Sequence, residues 1–239
     1  IFEVPEHVQE VRQRVLEFIE TRVYPLEIKL DDRENPESWE MLCDLMQQAK
    51  DAGLWALGHP KEIGGQGMPF LDYVYINEVV GRSHHAMIAL GTHSLQDSIM
   101  LNEYANDTWR ETYLKPLVEG RVFPSFAMTE PNIASSDPTQ IQTRAMLEGD
   151  EWVINGHKWF TTGAARAAYT TVMCRTEPDV EGHRAFSMIV VPTNTPGYNI
   201  VRETPVLGIH GGHYEVKYED VRVPKENLLG ARGDGFVIA

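Results

Sequence analysis

The N-terminal half of the chain carries apolar residues at the spacing of amphipathic helices. Between residues 5 and 30, valine, leucine, isoleucine and phenylalanine recur every three or four positions, which places them on one face of a helix. Pro25 falls inside this segment and predicts a kink, because proline has no N–H to donate to the helical ladder. A second helix is predicted to begin near Asn35 and to end at Gly53, a residue type favoured just beyond helix ends.

Three further helices are predicted before the pattern changes. They cover residues 70–81, 83–104 and 107–118, with Asn106 or Asp107 as the N-cap of the last one. Together with the first two helices they predict an all-helical N-terminal half.

A glycine-rich segment, PKEIGGQGMPF at residues 60–70, interrupts these helices. Two interpretations stay open: a cradle for a phosphate group, or a tight connection between helices. The spacing of Gly64, Gly65 and Gly67 matches neither the Walker A nor the dinucleotide-binding pattern, and no strand precedes it. The tight connection is therefore the favoured interpretation.

After Gly120 the period of the pattern changes from that of helices to that of strands. A glycine–aspartate turn at residues 149–150 separates two alternating runs and predicts a β-hairpin. Short strands without intervening helices predict an antiparallel β-barrel or sandwich. The strands are predicted over residues 122–129, 142–148, 151–161, 169–176, 184–192, 197–203 and 213–223.

The expected fold class is therefore α+β, with an all-helical domain at residues 1–120 and a β domain at residues 121–232. Residues 233–239 are interpreted as the start of a further helical domain, since an apolar helix begins near Phe236 and stops within two turns. A domain rarely ends on an apolar half-helix, so we expect the intact protein to continue beyond Ala239.

Composition narrows the class of partner and the compartment. The 239 residues carry a net charge of −14, with 21 basic and 35 acidic side chains and no basic run, which argues against nucleic-acid binding. Cys43 and Cys174 lack metal-ligand spacing, as do His84, His85 and His93, so we expect free thiols and no metal site. No apolar run reaches the about 18 residues of a membrane span, and no signal-peptide pattern opens the chain. A soluble intracellular protein is expected.

Two segments carry candidate chemistry. The first, FAMTEPNIASSD at residues 126–137, starts as a strand, meets Pro131 and continues in small polar residues whose N–H and hydroxyl groups can hold a polar ring or a phosphate. The second, GHKWFTTG at residues 156–163, places the aromatic pair Trp159 and Phe160 before two threonines. Together they predict a flat apolar wall beside hydrogen-bond donors. The alternative, core aromatics and an ordinary capping turn, stays open from these residues alone.

These segments resemble motifs of the acyl-CoA dehydrogenase family. Residues 127–137 resemble its signature, a small apolar residue and Thr-Glu-Pro followed by Gly-Ser-Asp. The stretch WVINGHKWFTTG resembles its hairpin beside the flavin, PKEIGGQG a loop of its N-terminal domain, and DVRVPKENLLG from Asp220 the join to its C-terminal helices. The resemblance covers essentially the whole chain. It implies the N-terminal helical and middle β domains of that family, with the C-terminal helical-bundle domain absent from this chain.

Two departures from the family pattern matter. The signature reads TEPNIASSD, with one residue inserted and Ala134 in place of a glycine. This form, with the HGGH around His210, resembles the branch whose animal members fuse the dehydrogenase to a phosphotransferase-like domain. The family's catalytic base is a glutamate or aspartate of the C-terminal domain. The resemblance therefore implies no catalytic residue in this chain and a base beyond Ala239.

The resemblance implies FAD as cofactor and assigns roles to the residues of both segments. Met128 and Thr129 are expected at the pyrimidine edge of the flavin, Trp159 against the ring and Thr161 near N5. Ser136 is expected to contact both the flavin and the acyl-CoA substrate. The full set of implied flavin-binding residues is Phe126, Met128, Thr129, Ser135, Ser136, Trp159, Phe160 and Thr161.

Other polar residues near these motifs are interpreted as structural. The positions of Glu130 and Asp137 in the signature indicate loop-shaping roles, not an acid/base pair. His210 and His213 flank two glycines like half a metal site, but no third ligand is evident. A polar loop is the favoured interpretation there.

The function implied is FAD-dependent α,β-dehydrogenation of an acyl-CoA thioester, a step of fatty-acid β-oxidation. An acyl-CoA oxidase or flavin monooxygenase of the same fold, and a non-catalytic CoA- or flavin-binding module, stay open as alternatives. The resemblance also implies an electron-transfer flavoprotein or similar acceptor and a homodimer or homotetramer of the intact protein. The expected location is the cytoplasm of a bacterium, or the mitochondria or peroxisomes of a eukaryote.

Overall fold

The computed structural model describes residues 3–32, 35–207 and 212–239 of the chain. These residues form two compact units. The helical unit extends to Ile99 and includes Leu114–Arg121, and the β unit comprises Met100–Tyr113 and Val122–Ala239.

The helices follow the predicted order, but three of the predicted segments are divided. The described helices are α1 (Glu6–Phe18), α2 (Glu27–Asp31), α3 (Ser38–Asp51), α4 (Phe70–Val80), α5 (His84–Ala89), α6 (Leu95–Tyr104), α7 (Asp107–Trp109), α8 (Lys115–Val118) and α9 (Gly235–Ile238). The kink predicted at Pro25 is confirmed, because a π-helical turn (Ile19–Val23) and a 3-10 turn (Tyr24–Leu26) separate α1 from α2. Asn106 caps α7 as predicted, accepting the Trp109 N–H at 2.9 Å.

The prediction of one helix over residues 83–104 is wrong. Helix α5 ends at Ala89 and α6 begins only at Leu95. Between them Gly91 adopts a φ of 73°, in the left-handed region that a right-handed helix cannot contain.

The core of the helical unit lies between α1, α3, α4 and α5. Their apolar faces bury Val15, Leu45, Ile76 and Ala86 almost completely. The helical spacing read from the sequence therefore corresponds to real core-facing stripes.

The glycine-rich segment folds back on the residues that precede it. Every backbone N–H from residue 64 to residue 68 is donated to a carbonyl oxygen of residues 56–61: Gly64 to Lys61, Gly65 to Pro60, Gln66 to Ala56, Gly67 to His59 and Met68 to Leu57. No donor of this run is left for a phosphate, so the interpretation as a tight connection is confirmed.

The β unit is built on one sheet of eight strands. Its order is β6-β7-β3-β1-β4-β5-β8, and β2 pairs with both β3 and β4. The predicted hairpin is confirmed, with Ala145 opposite Ile154 and Leu147 opposite Trp152. The strands are β1 (Pro124–Ala127), β2 (Arg144–Glu148), β3 (Glu151–Thr162), β4 (Tyr169–Arg175), β5 (Phe186–Pro192), β6 (Tyr198–Glu203), β7 (His213–Pro224) and β8 (Leu228–Leu229).

Two pairings depart from the predicted antiparallel arrangement. β1 runs parallel to β4, with Pro124 opposite Tyr169 and Ala127 opposite Val172. The chain passes through the β2–β3 hairpin before it returns beside β1, and a connection of this length allows parallel neighbours. β2 also meets β4 in parallel, with Arg144 opposite Arg175. The other described pairings are antiparallel, so the sheet is mixed.

The segment Met100–Tyr113 belongs to the β unit through aromatic packing. The Tyr113 ring contacts the Tyr169 ring edge-on at a centroid distance of 5.0 Å, and Trp109 stacks on Tyr113 at 4.6 Å. Asn106 also donates its side-chain amide to the Glu226 carbonyl at 2.7 Å.

Candidate functional site

The two segments singled out from the sequence meet in the β unit. Strand β1 lies between β3 and β4, and Phe126 is directly opposite Thr162 at the end of β3. Beyond β1, the Trp159 N–H donates to the Thr129 carbonyl at 3.1 Å, and the Thr129 hydroxyl donates to the Trp159 carbonyl at 2.8 Å. The predicted proximity of the two segments is therefore observed.

The aromatic pair presents one ring to solvent. The rings of Trp159 and Phe160 lie 4.7 Å apart between centroids, and Phe160 is 41% exposed whereas Trp159 is half-buried. Phe160 has a φ of 50°, which costs a bulky residue of order 1–3 kcal/mol. Residues held in such a conformation concentrate at functional sites, so this outward ring is a candidate contact surface.

A bulge next to Phe160 determines which threonine is accessible. Between Lys158 and Thr161, β3 advances three residues while β7 advances two, from Val216 to Tyr214. One extra residue in a strand moves every later side chain to the opposite face of the sheet. Thr161 is consequently fully buried, and Thr162 is exposed.

Thr162 is therefore the accessible hydroxyl at the end of β3. The Thr161 hydroxyl is buried and has no hydrogen-bond partner among the described residues, so the role implied for Thr161 near N5 stays a prediction. Thr162 Oγ1 lies 2.9 Å from His213 Nδ1, and the His213 ring lies edge-on to Phe160 at 6.1 Å. Sequence reasoning singled out His213 as part of a polar loop but missed Thr162, because only the bulge distinguishes Thr162 from its neighbour.

The loop after β1 is closed by its own side chains. The Ser135 hydroxyl accepts the Glu130 N–H at 3.0 Å and donates to the Glu130 carbonyl at 3.2 Å. Asp137 caps the turn at Pro138–Gln140, accepting the Thr139 N–H at 3.1 Å. Ser136 between them is exposed. The loop-shaping role interpreted for Asp137 is thus observed, and Ser135 shares that role.

Glu130 holds the start of the loop through a buried ion pair. Its Oε1 lies 2.9 Å from Lys158 Nζ, and the two side chains are 5% and 0% exposed. The carboxylate also accepts the N–H groups of Gln142 at 2.8 Å and Thr143 at 2.9 Å. Burial alone would raise the pKa of Glu130, but the Lys158 charge and the donated hydrogen bonds hold that pKa below its usual value.

The remaining histidine prediction has two parts. His210 lies outside the described residues, and His213 contacts Thr162 as given above. Among the residues that the structure describes, no group of three metal-ligating side chains is found. No helix in the described part of the chain is long and apolar enough to cross a membrane.

The chemistry of this site fits a flat aromatic ring with a polar edge. An exposed phenylalanine and a half-buried tryptophan supply the apolar face. The hydroxyls of Thr161 and Thr162 and the backbone of Thr129, which is bonded to Trp159, supply polar groups on the same two segments. Such a combination of a few placed polar groups with aromatic walls is typical of cofactor sites.

Comparison with known proteins gives the family. The model of the acyl-CoA dehydrogenase N-terminal domain matches residues 5–121, and that of the acyl-CoA dehydrogenase middle domain matches residues 125–221. This chain belongs to the acyl-CoA dehydrogenase family.

Similar proteins carry the same family name. Acyl-CoA dehydrogenase family member 10 of Mus musculus is 37% identical, over 97% of this chain and 23% of its own length. FadE2 of Mycobacterium tuberculosis, named as an acyl-CoA dehydrogenase, is 39% identical, over 95% of this chain and 58% of its own length. An acyl-CoA dehydrogenase structure from Mycobacterium abscessus superposes with a TM-score of 0.91 at 32% identity, over 99% of this chain and 63% of that one. The chain therefore spans less than two thirds of each of these relatives.

Proposed function

We propose that the intact natural protein is an FAD-dependent enzyme that removes a proton and a hydride from the α- and β-carbons of an acyl-CoA thioester. The observation that carries the proposal is the outward ring of Phe160 beside the Thr162 hydroxyl, at the motif where family members hold their flavin. Bound FAD supplies the hydride acceptor.

The proposal assigns this chain the work of binding and orienting the ring. Phe126, Phe160 and Trp159 form the apolar wall that excludes water, and Met128 and Thr129 offer backbone groups to the polar edge. Thr161 keeps its assignment near the reactive position, because its buried hydroxyl has no partner among the described residues, and exposed Thr162 offers a second hydroxyl beside it. Ser135 acts through loop shape, because both of its hydrogen bonds go to Glu130.

The remaining parts of the proposal concern the substrate and partners. Exposed Ser136 is assigned to the acyl-CoA thioester as well as to the flavin. The catalytic base is assigned to a part of the protein outside this chain, which spans 58% of the FadE2 length. We propose an electron-transfer flavoprotein or similar acceptor, a homodimer or homotetramer, and β-oxidation of fatty acids in the bacterial cytoplasm or in eukaryotic mitochondria or peroxisomes.

Flavin spectroscopy of the intact natural protein tests this function. The purified protein should show the absorption of oxidised flavin and should lose it when an acyl-CoA is added without oxygen. Transfer of electrons to an artificial acceptor without consumption of oxygen distinguishes a dehydrogenase from an oxidase. A colourless protein that takes up no FAD would contradict the proposal and favour a non-catalytic module.

A pair of aromatic substitutions tests the placement of the ring. Phe160→Ala should weaken FAD binding about tenfold, the effect of losing one aromatic contact of about 1.4 kcal/mol. Phe70→Ala removes a ring of the helical unit that is 72% exposed, and should leave the FAD dissociation constant unchanged. Equal affinities for FAD in both variants would remove Phe160 from the flavin site.

A further inference from the structure

A fully buried lysine lies directly behind the candidate site. The Lys158 side chain has no exposed surface, and its only acidic contact among the described ion pairs is Glu130. Burying two charges carries a desolvation cost that well-packed apolar residues would avoid, so a buried ion pair is weak evidence for a role in stability. We therefore ask which backbone groups the Lys158–Glu130 pair holds in a fixed orientation.

The Lys158 ammonium joins the loop to the sheet. Its Nζ donates to the Met128 carbonyl at 2.7 Å and to Glu130 Oε1 at 2.9 Å. Glu130 is itself held by the N–H groups of Gln142 and Thr143 just before β2. The ammonium is therefore held in place from the sheet side and determines the direction of the Met128 carbonyl.

The direction of that carbonyl determines the direction of the next N–H. In a planar trans peptide the C=O and the N–H point to opposite sides, and the Met128–Thr129 peptide is trans. Since the Met128 oxygen faces buried Lys158, the Thr129 N–H faces away from it. The carbonyl and hydroxyl of Thr129 are both bonded to Trp159. The N–H is thus the group of Thr129 that this arrangement leaves to a ligand.

The hydrogen bond from Lys158 to the Met128 carbonyl also makes the Thr129 N–H a stronger donor. An ammonium that bonds to a carbonyl oxygen polarises the peptide unit, and linked hydrogen bonds of this kind reinforce each other in a low-dielectric environment. A polarised Thr129 N–H is a better partner for an oxygen or nitrogen atom that gains negative charge.

We propose that Lys158 and Glu130 are positioning residues that orient the Met128–Thr129 peptide, so that the Thr129 N–H donates to the polar edge of the flavin. The inference rests on the proposed function for the identity of the ligand. The orientation of the peptide itself is a property of this chain and can be measured without the cofactor.

The test removes both charges together. Lys158→Met alone leaves the Glu130 carboxylate buried without its cation, so loss of folding would carry no information about position. The double variant Lys158→Met, Glu130→Gln removes the ion pair and leaves no buried charge. We expect it to be more stable than Lys158→Met alone, yet to bind FAD about tenfold more weakly than the wild type, the effect of one misdirected hydrogen bond.

Three measurements on the intact protein separate position from stability. These are the FAD dissociation constant, the visible spectrum of the bound flavin, and amide hydrogen exchange of residues 126–137 in the apoprotein. The positioning role predicts weaker binding, a shifted spectrum and faster exchange in the double variant, at a melting temperature close to that of the wild type.

Tyr198→Phe is the matched control within the same unit. It removes a buried hydroxyl 2.9 Å from Thr170 Oγ1 and should lower stability without changing FAD affinity or the flavin spectrum. If the double variant binds FAD like the wild type, with the same spectrum, the inference is overturned. A wild type that binds no FAD would instead contradict the proposed function, while faster exchange at residues 126–137 would still support the orientation of the peptide.

A second variant covers failure of the double variant to fold. Lys158→Arg keeps a cation beside Glu130, so that no buried charge loses its partner, and changes the position of the donor that bonds to the Met128 carbonyl. Faster exchange at residues 126–137 than in the wild-type apoprotein supports the inference, and unchanged exchange overturns it.

Discussion

Two loops of this chain have similar compositions but differ in whether their backbone N–H groups are hydrogen-bonded within the loop. The loop at residues 60–68 of the helical unit and the loop at residues 129–137 of the β unit are both rich in small residues. In the first, the N–H groups of residues 64–68 all go to nearby carbonyls. In the second, among the hydrogen bonds described, side chains of Ser135 and Asp137 close the loop and no bond uses an N–H of residues 132–136. The destination of the donors, not the composition, separates a connection from a candidate binding loop.

The two loops also rest on buried groups of different charge. His59 precedes the first loop and is 1% exposed, with Nε2 3.2 Å from Ser94 Oγ. Burial lowers the pKa of His59 to about 4, so it is neutral near pH 7. Glu130 begins the second loop as a carboxylate, with its pKa lowered by Lys158 against the effect of burial. The fold therefore favours a neutral His59 beside the first loop and a charged Glu130 at the start of the second.

The largest expected effect comes from filling the first loop. A Cβ at Gly65 would overlap the backbone carbonyl of His59, so Gly65→Ala should cost about 3 kcal/mol of unfolding free energy, the upper range for overpacking. Denaturant unfolding of the helical unit measures it. Gly53→Ala is the control, since its Cβ meets nothing within 4 Å and only its φ of 66° is unfavourable, at about 1 kcal/mol. Equal costs for the two variants would show that the loop is not tightly closed.

Acid should remove the stability contributed by His59 and by Glu130 over different pH ranges. The folded pKa of His59 is about 4 and its ordinary value is 6.5, so the unfolded state binds a proton first as the pH falls. The stability that His59 contributes is fully present above pH 6.5 and is lost toward pH 4. The lowered pKa of Glu130 gives a contribution to stability that is present above its ordinary pKa of 4.5 and is lost only as the pH falls through the folded pKa.

His59→Gln should therefore flatten the acid-side loss of stability by about 1.4 kcal/mol per pH unit between pH 6 and pH 4. Hydrogen exchange of α4 amides at several pH values measures the slope. Asp97→Asn gives the opposite sign, because burial raises the pKa of Asp97 to about 7 and its protonation in acid stabilises the fold. His93, with its pKa lowered to about 4 by burial, keeps part of the slope in both variants. An unchanged slope in His59→Gln would contradict a neutral buried His59.

Local patterns in the sequence predict what is local in the structure. The hairpin at residues 144–154 follows from alternation around one turn, and the kink at Pro25 follows from one missing N–H. Parallel pairing of β1 with β4 has no local signal, because it depends on where the chain returns after the hairpin. The break at Gly91 is ambiguous locally, since an isolated glycine is tolerated inside many helices.

The candidate site shows the same limit at the level of single residues. The resemblance brought the correct two segments together, but the bulge before Thr161 shifts which hydroxyl is accessible, and alternation cannot place a bulge. The signature indicates a loop-shaping role for Glu130, but its partner Lys158 lies 28 positions away and looks like an ordinary surface charge in the sequence. Sequence reasoning therefore selected the two segments that the structure brings together and the loop-shaping role of Glu130, and missed Lys158.

The smallest expected effect separates two adjacent serines in the second loop. Ser135→Ala removes both hydrogen bonds to Glu130 and should cost about 1 kcal/mol, with faster hydrogen exchange at residues 129–137. Ser136→Ala alters an exposed side chain and should change stability by less than about 0.5 kcal/mol. Its effect should appear instead as weaker binding of an acyl-CoA to the flavin-loaded protein. If Ser135→Ala weakened acyl-CoA binding while leaving loop exchange unchanged, and Ser136→Ala did neither, the assignments of the two serines would be reversed, because a loop-closing hydroxyl cannot be lost without loosening the loop.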